Sequence, residues 1–223
     1  MTQPPPFGRD AAQHLLDIQA VHLRPEKPFT LTSGRQSPAY VDCRKIISFP
    51  KARNALMDMA VQCLEEAIGW NQIDVLAGGE TAGIPFAAFL AERTGKPMVY
   101  VRKKPKGFGR GAQIEGDFEE GARVILIEDL ATDGGSKIVF VNALREAGAV
   151  CNHTFVVFFY GIIQGALEAL AKDDLALHSL ATWHDVVALA KDQGTLDGAR
   201  LAAVERFLAA PDTWTPDTWT PDT

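Results

Sequence analysis

Cysteine is scarce in this chain: Cys43, Cys63 and Cys151 are the only three among 223 residues, and no two form a CxxC pair. That excludes a disulfide framework and a cysteine-rich zinc site, and leaves buried or incidental thiols in a reducing cytoplasm. No apolar run is long enough to cross a bilayer, and the first residues, MTQPPPFGRD, lack the basic stretch and apolar core of a secretory signal. The five histidines, His14, His22, His153, His178 and His184, show no metal-ligand spacing and read as packing or surface residues. Excess basic charge is missing too. A net charge of −6 argues against a protein whose main task is gripping nucleic acid.

What is present is 47% hydrophobic residues spread along the whole length, enough for one α/β domain with a small N-terminal appendage. Apolar spacing at Leu15, Ile18 and His22 or Leu23 predicts a helix over residues 11–23. Short extended pieces at 29–31 and 40–41 flank a turn-rich stretch and together suggest a hood over residues 1–45. A helix over 50–68, with Pro50 in its first turn, opens the core assigned to residues 46–210. From there short apolar strands (74–77, 98–102, 123–127, 153–159, 175–180) alternate with helices (84–94, 136–147, 183–191, 198–208). This alternation predicts a central, mostly parallel sheet flanked by helices on both faces. The start of the 183–191 helix, Trp183-His184-Asp185, is read as an ordinary helix entry with Asp185 in the first turn. The closing repeat PDTWTPDTWTPDT cannot bury a core, so residues 211–223 are expected to form a disordered tail. Partner binding through Trp214 and Trp219 is the competing reading.

The most informative segment runs from Arg123 to Lys137: an apolar strand, the acids Glu128 and Asp129, a turn of small residues, then a helix. In an open α/β sheet ligands bind beyond the C-terminal ends of strands. A glycine-rich turn leading into a helix there presents inward-facing amides and favourable partial charge to a phosphate. Thr132 and Ser136 add hydroxyl donors. The spacing matches neither a Walker loop nor GxGxxG. Two acids before a phosphate cradle repel the anion unless they hold something else, and sugar hydroxyls with a nearby magnesium ion fit that role. The competing reading is a plain strand–turn–helix junction capped by Asp133 or Ser136.

A second feature is basic. Arg102, Lys103, Lys104, Lys106 and Arg110 fall within nine residues, uninterrupted by an acid and interleaved with Gly107, Gly109 and Gly111. Taken alone it reads as a solvated hairpin. Beside a phosphate cradle it reads as a mobile lid for a small, highly anionic ligand.

Residues 125–136, ILIEDLATDGGS, resemble the signature of the type I phosphoribosyltransferases, which bind phosphoribosyl pyrophosphate (PRPP). The resemblance implies that Glu128 and Asp129 hold the ribose hydroxyls, with Asp129 catalytic. It implies that Leu130, Ala131, Thr132, Asp133, Gly134, Gly135 and Ser136 wrap the 5′-phosphate. Asp133 departs from the usual Thr or Ala. Residues 102–107 resemble the mobile loop of the orotate phosphoribosyltransferases: Arg102 and Lys103 would contact pyrophosphate, and Lys106 would be the catalytic lysine of the loop. That loop is shared between subunits in the family, which implies a homodimer; Phe108 stands where many members have His. Phe29 to Pro38 resembles the family's F-x-L-x-S-G-x-x-S-P hood, which covers the base and separates orotate enzymes from purine and uracil relatives. On that basis Tyr40, Val41 and Thr132 would contact orotate, while Thr32 replaces a common Lys. Gly78 to Pro85 resembles the family's pyrophosphate loop, where the backbone does most of the work.

One departure stands out. Many members carry an orotate-binding Arg at the position aligned with Gly161, and this chain has Phe158-Phe159-Tyr160-Gly161. The implied function is transfer of phosphoribose from PRPP to orotate with Mg2+, by a cytoplasmic enzyme that binds neither nucleic acid nor membrane. The alternatives are a PRPP-binding regulator of the same fold and a phosphoribosyltransferase for another base.

Overall fold

The computed structural model describes residues 7–30, 34, 36–106 and 113–216. The expectations for Thr32, Ser33, Phe108, Gly109, Arg110, Gly111 and Trp219 lie outside the described residues. The chain runs α1 (Gly8–Asp17), β1 (Val21–Leu23), β2 (Phe29–Thr30), β3 (Gln36–Ser37), β4 (Ala39–Val41), a 3-10 turn (Cys43–Ser48) and α2 (Pro50–Ala67). It continues through β5 (Val75–Gly79), α3 (Gly83–Thr94), β6 (Met98–Val101), β7 (Ile114–Glu115), β8 (Arg123–Ala131), α4 (Gly135–Glu146), β9 (Val150–Phe159), α5 (Ala166–Lys172), β10 (Ala176–Thr182), α6 (Trp183–Gln193) and α7 (Gly198–Ala209).

Six strands form the main sheet in the order β10-β9-β8-β5-β6-β7. All neighbours pair in parallel except β7, which pairs antiparallel with β6 at the edge. The strands are buried on both faces because their residues alternate between two cores. Ile125 and Ile127 of β8 join Phe86 and Leu90 of α3 on one side, while Val124 and Leu126 join Phe140 and Leu144 of α4 on the other. The expected α/β sandwich is therefore present.

The topology also positions a site. After β5 the chain winds outward to β6, then returns to lay β8 against the opposite edge of β5. The order reverses between β5 and β8, and in such sheets the crevice outside the strand ends opens at that reversal.

The hood differs in detail from the helix expected over residues 11–23. The helix stops at Asp17, and Gln19 takes a left-handed conformation (φ 55°). That bend turns Val21–Leu23 into a strand pairing antiparallel with β4, so His22 lies opposite Tyr40. Aromatic rings gather on this pair: those of Phe29 and Tyr40 sit 5.3 Å apart, with His22 stacked on Tyr40 at 6.3 Å. At the other end, Thr182 and Asp185 form a capping box at the start of α6, which accounts for the Trp183-His184-Asp185 segment. Trp183 itself is buried edge-on against Phe158 and Tyr160. The three cysteines are free and buried. The repeat tail, expected to lack structure, packs its first tryptophan: the ring of Trp214 meets Phe207 of α7 edge-on at 5.7 Å.

Candidate active site

β8 does not end before the two acids, as its apolar stretch suggested, but runs through them to Ala131. Successive strand residues point to opposite faces, so Glu128 and Asp129 take different partners, yet both reach the wall of one cavity beyond the strand end. Glu128 turns toward α4, where its Oε2 lies 2.8 Å from the Nζ of Lys137. Both side chains are almost fully enclosed. Burial raises the Glu128 carboxyl above its ordinary value, and the Lys137 ammonium opposes that rise. The second oxygen, Oε1, is buried without a hydrogen-bond partner and packs against the turn between β5 and α3. Only glycine fits there. A Cβ on Gly83 would run into the Ile127 carbonyl oxygen and the Glu128 side chain, and one on Gly79 would run into Glu128 Oε1.

Asp129 faces the other way. Its Oδ1 accepts the amide of Leu130, and its Oδ2 lies 3.7 Å from the Nε of Arg44, from the 3-10 turn after the hood. Two cavities meet at this pair. The smaller, about 300 Å³, is lined by Glu80, Thr81, Ala82, Lys103, Glu128 and Ser136. The larger, about 820 Å³, is lined by hood residues Phe29, Gln36, Tyr40 and Val41, by Leu130, Thr132 and Asp133, and by Tyr160, Ile162 and Ile163. Arg44 and Asp129 line both.

The turn between β8 and α4 has the expected form. Gly134 is left-handed (φ 86°), and α4 begins at Gly135. Asp133 does not point its charge loosely into the cradle, for its Oδ1 accepts the Gly135 amide at 3.0 Å. The loop after β5 is tied to the loop after β6, because Glu80 Oε2 accepts the backbone amide of Lys103 at 2.7 Å. The Glu80–Thr81 peptide in that loop is cis.

Of the three basic residues assigned to pyrophosphate, the structure brings only Lys103 to a cavity wall. Arg102 and Lys106 instead share the Glu115 carboxylate of β7, at 3.2 and 3.8 Å. Among the described residues no group of three or more metal-ligating side chains converges. The oxygens of Asp129 are nevertheless hard donors, of the kind magnesium takes when a substrate's phosphates supply most of its ligands.

Two functional candidates escaped the sequence reading. Lys137 carries one hint in the sequence that it reaches under the loop, its position directly after Ser136. Arg44 had no signal at all, since its place beside Asp129 depends on packing the hood against β8.

The phosphoribosyl transferase domain family matches residues 45–189. An orotate phosphoribosyltransferase of Cereibacter sphaeroides is 57% identical over 209 residues, covering 93% of this chain and 90% of that protein. One from Roseobacter denitrificans is 55% identical over 208 residues, covering 93% and 92%. The solved orotate phosphoribosyltransferase of Aeropyrum pernix superposes with a TM-score of 0.70 at 32% identity, covering 83% of this chain and 99% of that one.

Proposed function

The chain belongs to the orotate phosphoribosyltransferase family, and from that premise we propose how its residues carry out the reaction. The enzyme transfers the 5-phosphoribosyl group of PRPP to orotate, giving orotidine 5′-monophosphate and pyrophosphate, a step of pyrimidine nucleotide synthesis. The observation that carries the reading is the meeting of two cavities at Asp129, at the reversal point of the sheet. PRPP has three parts, and the site offers a place for each.

The ribose sits at the junction, where Asp129 accepts from its hydroxyls; Glu128, paired with Lys137 on the wall of the smaller cavity, faces the same sugar. The 5′-phosphate lies against Thr132, Asp133, Gly134, Gly135 and Ser136, with Leu130 and Ala131 bringing the strand into the turn. Pyrophosphate occupies the smaller cavity beside Lys103 and the Glu80–Thr81 backbone. Orotate enters the larger cavity under Tyr40 and Val41 and against Thr132.

Bond breaking builds positive charge on the sugar ring and negative charge on the leaving group, so positioning and electrostatics dominate. Lys103, on the wall of the smaller cavity, neutralises charge on the leaving group. Lys106, whose side chain is 72% exposed and which among the described residues meets Glu115 at 3.8 Å, would swing in. Arg102 would exchange Glu115 for pyrophosphate in the same motion. Closing the basic loop would exclude water from the ring cation. Near Asp129 and Glu128 a magnesium ion carried in with PRPP would supply further neutralisation of the pyrophosphate. We also propose a homodimer in which the basic loop serves the neighbouring site. A cytoplasmic setting suits its three free thiols.

The test is pyrophosphate release from PRPP and magnesium with orotate, uracil, adenine or hypoxanthine. Release with orotate alone, accompanied by orotidine 5′-monophosphate, is expected. PRPP binding without release for any base would replace the enzyme with a PRPP sensor, and release with another base would reassign the acceptor.

A further inference from the structure

Orotate differs from uracil by a carboxylate, and the larger cavity is a poor place for an anion. Asp42, Asp129 and Asp133 all line it, and no cation follows β9, where Gly161 sits. Among the described residues lining that cavity, Arg44 is the one that carries positive charge. Its side chain is 71% exposed, and its contact with Asp129, at 3.7 Å, is longer than a hydrogen bond. The guanidinium is therefore aimed at the junction without being consumed there.

Its backbone is fixed. Asp42 Oδ1 accepts the Arg44 amide at 3.2 Å and starts the 3-10 turn directly after Tyr40 and Val41. The neighbouring Cys43 and Ile46 are buried in the core, so the turn holds Arg44 at the cavity rim.

We infer that Arg44 is the specificity residue that recognises the carboxylate of orotate, in place of the arginine missing at Gly161. A planar guanidinium suits a carboxylate in two-point contact, and charge-assisted bonds of this kind are the strong ones. The smaller cavity already has Lys103 for pyrophosphate, and the Thr132–Ser136 turn serves the 5′-phosphate, which leaves Arg44 for the base. This role rests on the function proposed above.

The experiment compares wild type with Arg44→Gln and Arg44→Lys. It measures KM for orotate and for PRPP, and inhibition by orotidine 5′-monophosphate against uridine 5′-monophosphate, which lacks the carboxylate. Arg44→Gln should raise the orotate KM by roughly 10- to 100-fold, the range expected from losing a charged hydrogen bond. PRPP KM should stay within about threefold, and the preference for orotidine over uridine monophosphate should shrink by a similar factor to the orotate loss. Arg44→Lys should recover only part of it, since an ammonium lacks the fork. An unchanged orotate KM, or a rise in PRPP KM with the nucleotide preference intact, overturns the assignment and moves Arg44 to PRPP. A wild-type enzyme that makes no orotidine 5′-monophosphate removes the proposed function itself, and this role with it.

Discussion

Lys137 Nζ lies 2.8 Å from Oε2 of Glu128, with both side chains nearly inaccessible to water. An acid from β8 and a lysine from the first turn of α4 thus form a closed ion pair beneath the phosphate turn. Removing one member of such a pair strands a buried charge. Lys137→Met should therefore lower the unfolding free energy by about 3–5 kcal/mol. The double variant Lys137→Met, Glu128→Gln should recover much of that loss. Urea titration reads both, and a single variant as stable as wild type would show that the pair is not closed in solution.

Gly83 tests how tightly the turn after β5 is packed. Its Cβ would meet the Ile127 carbonyl oxygen and the Glu128 Cα, which are backbone atoms that cannot swing aside. Gly83→Ala should cost about 1–3 kcal/mol through overpacking. It should also raise the PRPP KM, because the strand carrying Asp129 must shift. Thermal melting and steady-state kinetics check the two effects, and a normal PRPP KM with lowered stability would confine the glycine to packing.

Lys106→Ala addresses the basic loop. The side chain is exposed and, among the described residues, its ion pair with Glu115 is long, so stability should be unaffected. Turnover should fall on the order of 100-fold or more if the lysine reaches the developing charge on pyrophosphate. A kcat equal to wild type would reject that reach.

His153 and His178 lie far from this chemistry, on adjacent strands β9 and β10, with Nδ1 and Nε2 3.1 Å apart. Burial lowers both, His178 to about 4, where the neighbouring His153 adds to the effect. The folded state thus keeps His178 neutral at a pH where the unfolded chain would protonate it. Their contribution to stability is intact above the ordinary value of 6.5. It erodes as pH falls from there toward about 4. His178→Phe should flatten the fall in melting temperature over that window, and a variant with the same acid sensitivity as wild type would place its cause elsewhere.

The parallel sheet was legible because strands covered on both faces must be apolar throughout, as residues 124–127 are. The phosphate turn was legible because Gly134 and the small residues around it are required by its geometry. The end of the first helix was not, because Gln19 carries no turn signal and its left-handed conformation follows from pairing β1 with β4. Periodicity alone would let the helix continue to Leu23.

What the sequence determined by itself was the local chemistry: the apolar strands, the acid pair, the hydroxyls and glycines of the turn, and the run of basic residues. Each is written in consecutive positions, where steric and hydrogen-bonding constraints act over a few bonds. What only the tertiary structure decided was how those groups divide the work. Extending β8 through the acids sends Glu128 to Lys137 and Asp129 to Arg44, on opposite faces. Packing the hood against the strand brings Arg44, 85 positions before Asp129 in the chain, to the junction of both cavities. Such pairings depend on the sheet's strand order and on which face each side chain takes, and neither is encoded in any single segment.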